Sequence, residues 1–260
     1  MDDAYANGAY IDGAADYVPR WAQTAEAFRI GLGARARLGL SYGPSERMAL
    51  DMFRPEGVEQ GTLIFVHGGY WLKFDRSYWS HLAAGALARG WAVAMPSYDL
   101  CPSVRIAGIT QQIAQAVIEV AGGSTGPISL AGHSAGGHLV SRMLAPGMLP
   151  EVVRARLTHV VPISPVANLE PLLRTSMNAD FGMDTGMARA ESPAHQPKPA
   201  VPVTVWVGGE ERPAFLEQAQ LLAEAWGCDH VVTPGEHHFN VIDALADPHS
   251  DLIARLTNGA

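Results

Sequence analysis

From residue 62 onward, short apolar runs alternate with longer segments in which apolar residues recur at every third or fourth position. Short runs bounded by glycine, proline and polar residues predict buried strands, and the longer segments predict helices. The predicted strands cover residues 63–66, 92–96, 128–130, 160–163, 203–207 and 230–233. Because strands that alternate with helices are typical of a mostly parallel sheet covered on both faces, the pattern predicts an α/β fold.

Two of the longer segments have an apolar face clear enough to predict a helix that packs on the sheet. The first face consists of Ile109, Ile113, Ala116, Val117 and Val120, and the second of Phe215, Ala219, Leu222 and Trp226. We interpret both faces as core packing.

The first 36 residues precede this pattern and predict an N-terminal helical extension. Three apolar residues lie three or four positions apart there: Trp21, Ala25 and Phe28. This spacing predicts an amphipathic helix over residues 19–30 that covers an edge of the sheet. Residues 38–40 and 48–53 flank a turn-forming segment and predict an antiparallel hairpin.

One long stretch of the chain has no regular pattern. Residues 165–200 contain five prolines and three methionines and lie between two predicted core strands. An insertion of this kind predicts a functional loop or a small cap. With 260 residues, of which 48% are hydrophobic, the chain can bury one large core, and we expect a single domain over residues 1–260.

Charge and cysteine content exclude several classes of partner. The net charge of −8 and the lack of lysine or arginine clusters argue against nucleic acid and anionic membranes. The acidic N-terminus is unlike a secretory signal, and no apolar run reaches the roughly 18 residues of a membrane span, so we expect a cytoplasmic protein. Cys101 and Cys228 fit neither a disulfide framework nor a metal site, and we expect no metal and no cofactor. Whether the two thiols meet is left open.

The strongest chemical signal lies in residues 126–140, G-P-I-S-L-A-G-H-S-A-G-G-H-L-V. Gly132, Ser134 and Gly136 form G-x-S-x-G between a predicted strand and a predicted helix, which is the context of a nucleophile elbow. The sharp turn needs small neighbours, and the start of the helix favours negative charge that develops on the serine. The alternative is a glycine-rich turn in which Ser134 only caps a helix.

Candidates for the base and the acid follow the last two predicted strands. Glu210 and Glu211 come after residues 203–207, and E-H-H-F comes after residues 230–233. A histidine can take the proton of Ser134 if a carboxylate fixes its tautomer. Adjacent side chains point in different directions, so we choose His238, at the expected start of the last helix, over His237. We regard the remaining histidines as structural or solvated: His81, His138, His159, His195, His230 and His249.

An oxyanion hole is predicted directly after the strand at residues 63–66, where the sequence reads H-G-G-Y-W. Gly68 and Gly69 free the backbone to turn its N–H groups toward an acyl oxygen, and the N–H group of Ala135 would complete the set.

With H-G-G-Y-W, G-H-S-A-G-G-H-L and H-H-F in this order, the chain resembles the serine-dependent kynurenine formamidases (arylformamidases) and their esterase-like relatives in the α/β-hydrolase superfamily. The resemblance runs nearly end to end and includes residues 42–55, 163–178, 192–193 and 213–218. It implies the α/β-hydrolase fold.

The resemblance also implies which glutamate is the acid of the triad. Related sequences carry a carboxylate two positions before a P-x-F segment, which here begins at Pro213 and implies Glu211, with Glu210 as the alternative. Many members have aspartate at that position. A second departure from the family is Asn168, where relatives often have aspartate.

The implied substrate is an N-formyl arylamine such as N-formylkynurenine, which is a small-molecule partner. Tyr70, Trp71 and His133 are expected to line its pocket, and Tyr78 and Trp79 either join them or only pack a helix. A short-chain ester or thioester would use the same triad, and a non-catalytic binding module is a remoter alternative. A metal-dependent amidohydrolase would need ligand spacing that His133 and His138 do not supply. A homodimer is compatible with the sequence.

Overall fold

The computed structural model describes residues 1–258, and within them one eight-stranded sheet forms the centre of the fold. The strands are β1 (Ala36–Ser41), β2 (Ala49–Phe53), β3 (Gly61–Val66), β4 (Trp91–Pro96), β5 (Ile128–His133), β6 (Leu157–Ile163), β7 (Thr204–Gly208) and β8 (Asp229–Thr233). Their order is β1-β2-β4-β3-β5-β6-β7-β8. From β3 to β8 the strands are parallel, and β2 is antiparallel to both its neighbours. All six predicted core strands and the predicted hairpin are confirmed.

Helices cover both faces of the sheet. The α-helices are α1 (Ala14–Leu32), α2 (Ala84–Ala88), α3 (Ile106–Gly122), α4 (Ala135–Arg142), α5 (Glu151–Arg154), α6 (Asn178–Phe181), α7 (Thr185–Glu191), α8 (Pro213–Trp226) and α9 (Asp251–Thr257). Short 3-10 helices span Asp2–Tyr5, Asn7–Tyr10, Gly33–Arg35, Arg76–Tyr78, Ser80–Ala83, Glu170–Arg174, Pro193–His195 and Asp243–Ala246. The predicted apolar faces of α3 and α8 are buried, as expected.

Alternate residues of the strands point to opposite faces of the sheet and pack in two separate hydrophobic cores. Ile64 and Val66 of β3 pack with α3, α4 and α8 on one face, while Leu63 and Phe65 pack with α2 and α9 on the other. This two-sided burial explains why β3 reads as a continuous apolar run, since both faces of a parallel sheet are covered. Because β3 to β8 are parallel, the carboxyl ends of β3, β5, β7 and β8 all lie along the same edge of the sheet.

The N-terminal helix is longer than predicted. It begins at Ala14, so Pro19 lies inside it and removes only one backbone hydrogen bond. Trp21 compensates by packing 4.8 Å from the Trp79 ring, measured between centroids. The helix lies on the turns of residues 76–83, and its Phe28 ring packs on Phe53 of β2, the strand beside the edge strand β1.

The insertion at residues 165–200 folds onto the helices beside the sheet. Phe181 is fully buried against Trp71, with 5.6 Å between ring centroids. Glu191 accepts a hydrogen bond from Thr110 of α3 (2.8 Å) and forms an ion pair with Arg142 of α4 (3.2 Å). These contacts tie the insertion to α4, the helix that follows the predicted nucleophile.

Cys101 and Cys228 both carry free thiols. Within residues 1–258, no helix is both long and apolar enough to cross a membrane. The same residues contain no group of three or more histidine, cysteine, aspartate or glutamate side chains that could hold a metal ion.

Two buried histidines predict how stability depends on pH. Burial lowers the pKa of His67 and of His138 to about 4, below the value near 6.5 expected in the unfolded chain. Between these values the unfolded chain binds protons that the folded chain does not, so the free energy of unfolding should fall as the pH falls from about 6.5 to about 4. Each histidine contributes up to about 1.4 kcal/mol per pH unit. Denaturant titrations at pH 7, 6 and 5 measure the slope.

The variant His138→Gln provides the control for this prediction. Glutamine can still donate the hydrogen bond that His138 Nε2 makes to Glu191 O (2.8 Å), but it does not titrate. In this variant the free energy of unfolding should change less steeply with pH, by about 1.4 kcal/mol per pH unit, which corresponds to one proton. An unchanged slope would show that His138 does not contribute.

Candidate active site

Ser134 occupies the corner between β5 and α4. Its φ of 57° and ψ of −115° lie in a region that residues other than glycine rarely adopt. A Cβ at Gly132 would lie 2.2 Å from Gly136 O, so the close approach of strand and helix requires glycine. The Ser134 N–H group donates to Ile163 O (2.8 Å) and holds the corner against β6. This is the geometry of a nucleophile elbow, with the serine at a helix N-terminus.

A buried histidine and a buried glutamate meet beside this corner. His238 Nδ1 donates to Glu211 Oε2 at 2.6 Å, and the Glu211 side chain has no exposed surface. With its proton on Nδ1, the ring presents the Nε2 lone pair as an acceptor. Glu210, the alternative acid, is exposed. Of the two candidates, only Glu211 contacts His238.

Two residues that the sequence did not single out hold Glu211 in place. Ser164 Oγ and the Gly208 N–H group both donate to Glu211 Oε1, the latter at 3.2 Å. Ser164 follows β6 with a φ of 47°, and its N–H group donates to Trp206 O (2.7 Å). A carboxylate with three donors is well satisfied although it is buried. Ser164 precedes Pro165 in I-S-P, and no pattern in the sequence pointed to its side chain.

The His238 ring packs between Phe215 and His133, with centroids 4.3 Å and 4.6 Å away. No hydrogen bond joins His238 Nε2 to Ser134 Oγ within residues 1–258, although both residues line one cavity. Catalytic hydrogen bonds are often long without substrate and tighten when it binds. His238 lies in a turn, so its expected place at the start of a helix is wrong: a 3-10 helix begins at Asp243 and α9 at Asp251.

His237 has a different environment. Its Nδ1 accepts hydrogen bonds from the N–H groups of Phe239 (3.1 Å) and Asn240 (3.3 Å), which leaves the proton on Nε2. Nε2 then donates to Tyr17 Oη of α1 (3.1 Å). His237 is thus engaged by α1 and by its own turn, and it does not line the cavity.

The loop after β3 brings Gly68 and Gly69 next to Ser134. A Cβ at Gly68 would lie 3.0 Å from the Ser134 Cβ, and Gly69 has a φ of 107°. Within residues 1–258, the N–H groups of Gly68, Gly69 and Ala135 donate no hydrogen bond to the protein. Free N–H groups beside the serine fit an oxyanion hole.

His67 and Tyr98 hold this loop in place through a ring stack and a hydrogen bond. Their rings stack with centroids 4.4 Å apart, and Tyr98 Oη donates to His67 O (2.8 Å). His67 Nδ1 lies 2.7 Å from Gly68 O. Tyr98 follows β4, and its position beside the glycines depends on β3 and β4 being neighbours in the sheet.

A cavity of 590 Å³ opens above Ser134 and His238. Its walls are mostly apolar and include Val18, Trp21, Leu72, Phe74, Trp79 and Phe239. Residues 5–9 close one side, and Met177 is the contribution of the insertion. An apolar pocket with a few polar groups at one end is typical of a site for a small molecule.

The pocket predictions are partly wrong. Tyr70 and His133 line the cavity, but Trp71 is fully buried in the core against His138, with centroids 5.1 Å apart. Phe181 of the insertion also packs on the Trp71 ring, with 5.6 Å between centroids, and holds it in the core. Trp79 lies in the wall, whereas Tyr78 packs on Phe74 outside it.

The electrostatics of the site keep His133 neutral. Burial lowers the pKa of His133 well below its usual value, and the neighbouring His238 lowers it further. Burial also raises the pKa of Tyr70, so its hydroxyl stays protonated and donates to Tyr5 O (2.7 Å).

The strand-elbow-helix geometry agrees with a comparison to protein families. A sequence model of proteins with the alpha/beta hydrolase fold matches residues 63–195, just over half of the chain. The chain belongs to this α/β-hydrolase family.

The α/β-hydrolase chain is similar to kynurenine formamidases along most of its length. It is 26% identical to the kynurenine formamidase of Salmo salar in an alignment of 231 residues that covers 82% of this chain and 78% of that protein. The enzyme of Drosophila melanogaster is 27% identical over 249 residues, with 84% and 80% covered. Together with the family match, this similarity indicates a hydrolase that resembles kynurenine formamidases.

Solved structures of α/β-hydrolases give the same fold. A provisionally named thioesterase from Silicibacter sp. superimposes with a TM-score of 0.97 at 64% identity over 98% of each chain. Esterase B of Lactobacillus rhamnosis superimposes with a TM-score of 0.68 at 20% identity over 94% of this chain and 91% of that one.

Proposed function

We propose that this α/β-hydrolase uses Ser134, His238 and Glu211 as a catalytic triad and releases a formyl group from an N-formyl arylamine. The observation that carries the proposal is the arrangement at the cavity floor. A strained serine and a histidine bound to a buried carboxylate face the same apolar space.

The proposed reaction has two halves. In the first, His238 Nε2 takes the Ser134 hydroxyl proton while Oγ bonds to the formyl carbon, and the N–H groups of Gly69 and Ala135 stabilise the oxyanion. The C–N bond then breaks, and His238 returns the proton to the leaving nitrogen. In the second half, water gives a proton to His238 and attacks the formyl-enzyme, and formate leaves as Ser134 regains its proton.

The shape of the cavity supports an aryl leaving group. Four aromatic residues line it: Trp21, Phe74, Trp79 and Phe239. A formyl group is too small to need a cavity of 590 Å³, so the cavity would hold the arylamine. Similarity to two kynurenine formamidases over about four-fifths of the chain favours the same class.

A second candidate function keeps the triad and changes the substrate to a short-chain ester or thioester. The 64% identity to a provisionally named thioesterase favours it. In that case the cavity would hold the acyl chain, and activity would rise as the chain lengthens.

A hydrolysis panel separates the two functions. We expect wild-type kcat/KM for N-formylaniline, divided by the uncatalysed rate, to exceed the same quantity for N-acetylaniline, p-nitrophenyl acetate and an acyl thioester. One methyl group on the acyl side should cost at least about tenfold if the acyl site fits only a formyl group. Greater acceleration with butyryl than with acetyl thioesters would favour the second function instead.

Replacing Glu211 with glutamine is expected to lower kcat by about 10⁴-fold, because the amide leaves the imidazole in the wrong tautomer and its positive charge uncompensated. The change keeps the size of the side chain. Steady-state kinetics on the best substrate of the panel gives kcat and KM separately, and the loss should appear in kcat.

Glu210→Gln is the matched control for this variant, since Glu210 is adjacent and exposed. It should retain kcat within about twofold, as surface substitutions usually do. A larger loss at Glu210 than at Glu211 would move the triad acid by one position.

A further inference from the structure

The loop at residues 67–74, which we call the oxyanion loop, contains three residues with left-handed backbone. Tyr70, Trp71 and Phe74 have φ values of 54°, 56° and 71°, in a region that residues other than glycine seldom adopt. Such conformations are unfavourable and persist only where the surrounding structure holds them. The contacts that hold the end of this loop therefore help to determine the shape of the proposed oxyanion hole.

The end of the oxyanion loop packs directly on Gly69. A Cβ at Gly69 would lie 2.7 Å from Phe74 Cδ2 and 2.5 Å from Lys73 O. The Lys73 N–H group donates to Gly69 O (3.0 Å). With so little space between them, a shift of Phe74 displaces Gly69, whose N–H group is one of the proposed oxyanion donors.

Arg47, in the turn between β1 and β2, contacts the supports at both ends of the oxyanion loop. Its Nη2 donates to Phe74 O, and its Nε donates to Tyr98 O (2.7 Å). Tyr98 in turn stacks on His67 and donates to His67 O, at the start of the loop. The guanidinium group can hold both carbonyls at once because its donors lie on separate nitrogens in a rigid plane.

We infer that Arg47 is a positioning residue for the oxyanion hole: by holding Phe74 and Tyr98, it keeps the Gly69 N–H group directed at the oxygen of the tetrahedral intermediate. The inference rests on the proposed function for the use of this N–H group in catalysis. Arg47 acts through intervening residues, so its loss should displace the donor only slightly. A misplacement of about 1 Å is nevertheless enough to cost about 10²-fold in rate.

Replacing Arg47 with methionine keeps much of the length of the side chain and removes both donors. We expect kcat on the best substrate of the panel to fall about 10²-fold while KM changes little, because oxyanion donors bind the transition state more tightly than the substrate. Arg47→Lys should lose about tenfold, since an ammonium group donates from a single nitrogen and lacks the planar fork. Unchanged kcat in Arg47→Met, or a loss confined to KM, would overturn the inference.

Labelling with a p-nitrophenyl phosphonate separates a positioning role from a structural one. Ser134 Oγ bonds to phosphorus as p-nitrophenolate leaves, and the hydroxyl proton passes to His238. Because the phosphoryl oxygen gains negative charge in the oxyanion hole, the rate constant reports on the loop, whereas the total p-nitrophenolate released counts the folded sites. Arg47→Met should label to completion but about 10²-fold more slowly than wild type. A reduced total at the wild-type rate would assign Arg47 a purely structural role and overturn the inference.

Arg37→Met is the matched control, since Arg37 lies in β1 of the same hairpin and is exposed. It should match wild type in kcat and in labelling rate. If wild type prefers an ester to every formamide, the formamidase proposal fails and the test of Arg47 stands, because both substrates develop an oxyanion. Labelling that persists in Ser134→Ala would reject the proposed triad, whereas wild-type kinetics in Arg47→Met would reject only the role of Arg47.

Discussion

Replacing Ser134 with alanine is expected to lower kcat by about 10⁶-fold, the loss seen when the nucleophile of a triad is removed from a serine hydrolase. The substitution deletes one oxygen at a position with strained backbone, so the fold should remain intact. Residual turnover would come from the oxyanion N–H groups and from substrate binding alone.

Two measurements test this expectation. Turnover is compared with that of Ser103→Ala, which makes the same change at an exposed loop position and should match wild type. A serine-reactive phosphonate should add one covalent group to wild type and to Ser103→Ala, and none to Ser134→Ala, as intact mass shows. Labelling of Ser134→Ala, or activity near that of wild type, would rule out Ser134 as the nucleophile.

Replacing His238 with alanine is expected to be about as damaging as the loss of Ser134, since the members of a triad act as a unit. Without the imidazole, neither the hydroxyl proton nor the leaving group has a proton carrier. The partner of His238, Glu211, would also be left as a buried carboxylate without its 2.6 Å contact, so some stability should be lost as well.

The adjacent histidine provides an internal control. His237→Ala removes the contact to Tyr17 Oη but no group that faces the cavity, so kcat should stay within a few-fold of wild type. Thermal unfolding of both variants separates loss of fold from loss of chemistry. If His237→Ala proves the more damaging of the two, the base lies one residue earlier than proposed.

The sequence predicted the sheet well because its signals are local. Buried parallel strands are continuous apolar runs, and the six core strands were recognised from residues next to one another in the chain. The elbow was equally accessible, because the glycines at 132 and 136 are needed by the backbone of the turn itself. Strand ends were less accurate: β6 begins at Leu157, three residues before the prediction.

Features that depend on distant contacts were missed. Ser164 donates to Glu211 only because β6 and β7 are neighbours in the sheet. The residues around Ser164 in the sequence do not indicate this contact. Trp71 follows two glycines of the site and yet enters the core, where it packs on His138 and Phe181, which are distant in the sequence. Pro19 suggested that the first helix begins there, but the helix begins at Ala14 and contains Pro19. Packing of Trp21 on Trp79 stabilises this longer helix.

The position of the N-terminal segment has a consequence for how such enzymes diverge. The wall of the cavity at residues 5–9 and the face of α1 at Val18 and Trp21 come from one continuous stretch that precedes β1. The proposed triad and the residues that hold it come from the segments that follow β3 to β8. Part of the cavity wall is thus encoded upstream of every residue of the proposed triad. Recombination or drift confined to the first codons can reshape this part of the pocket while the proposed triad is inherited unchanged.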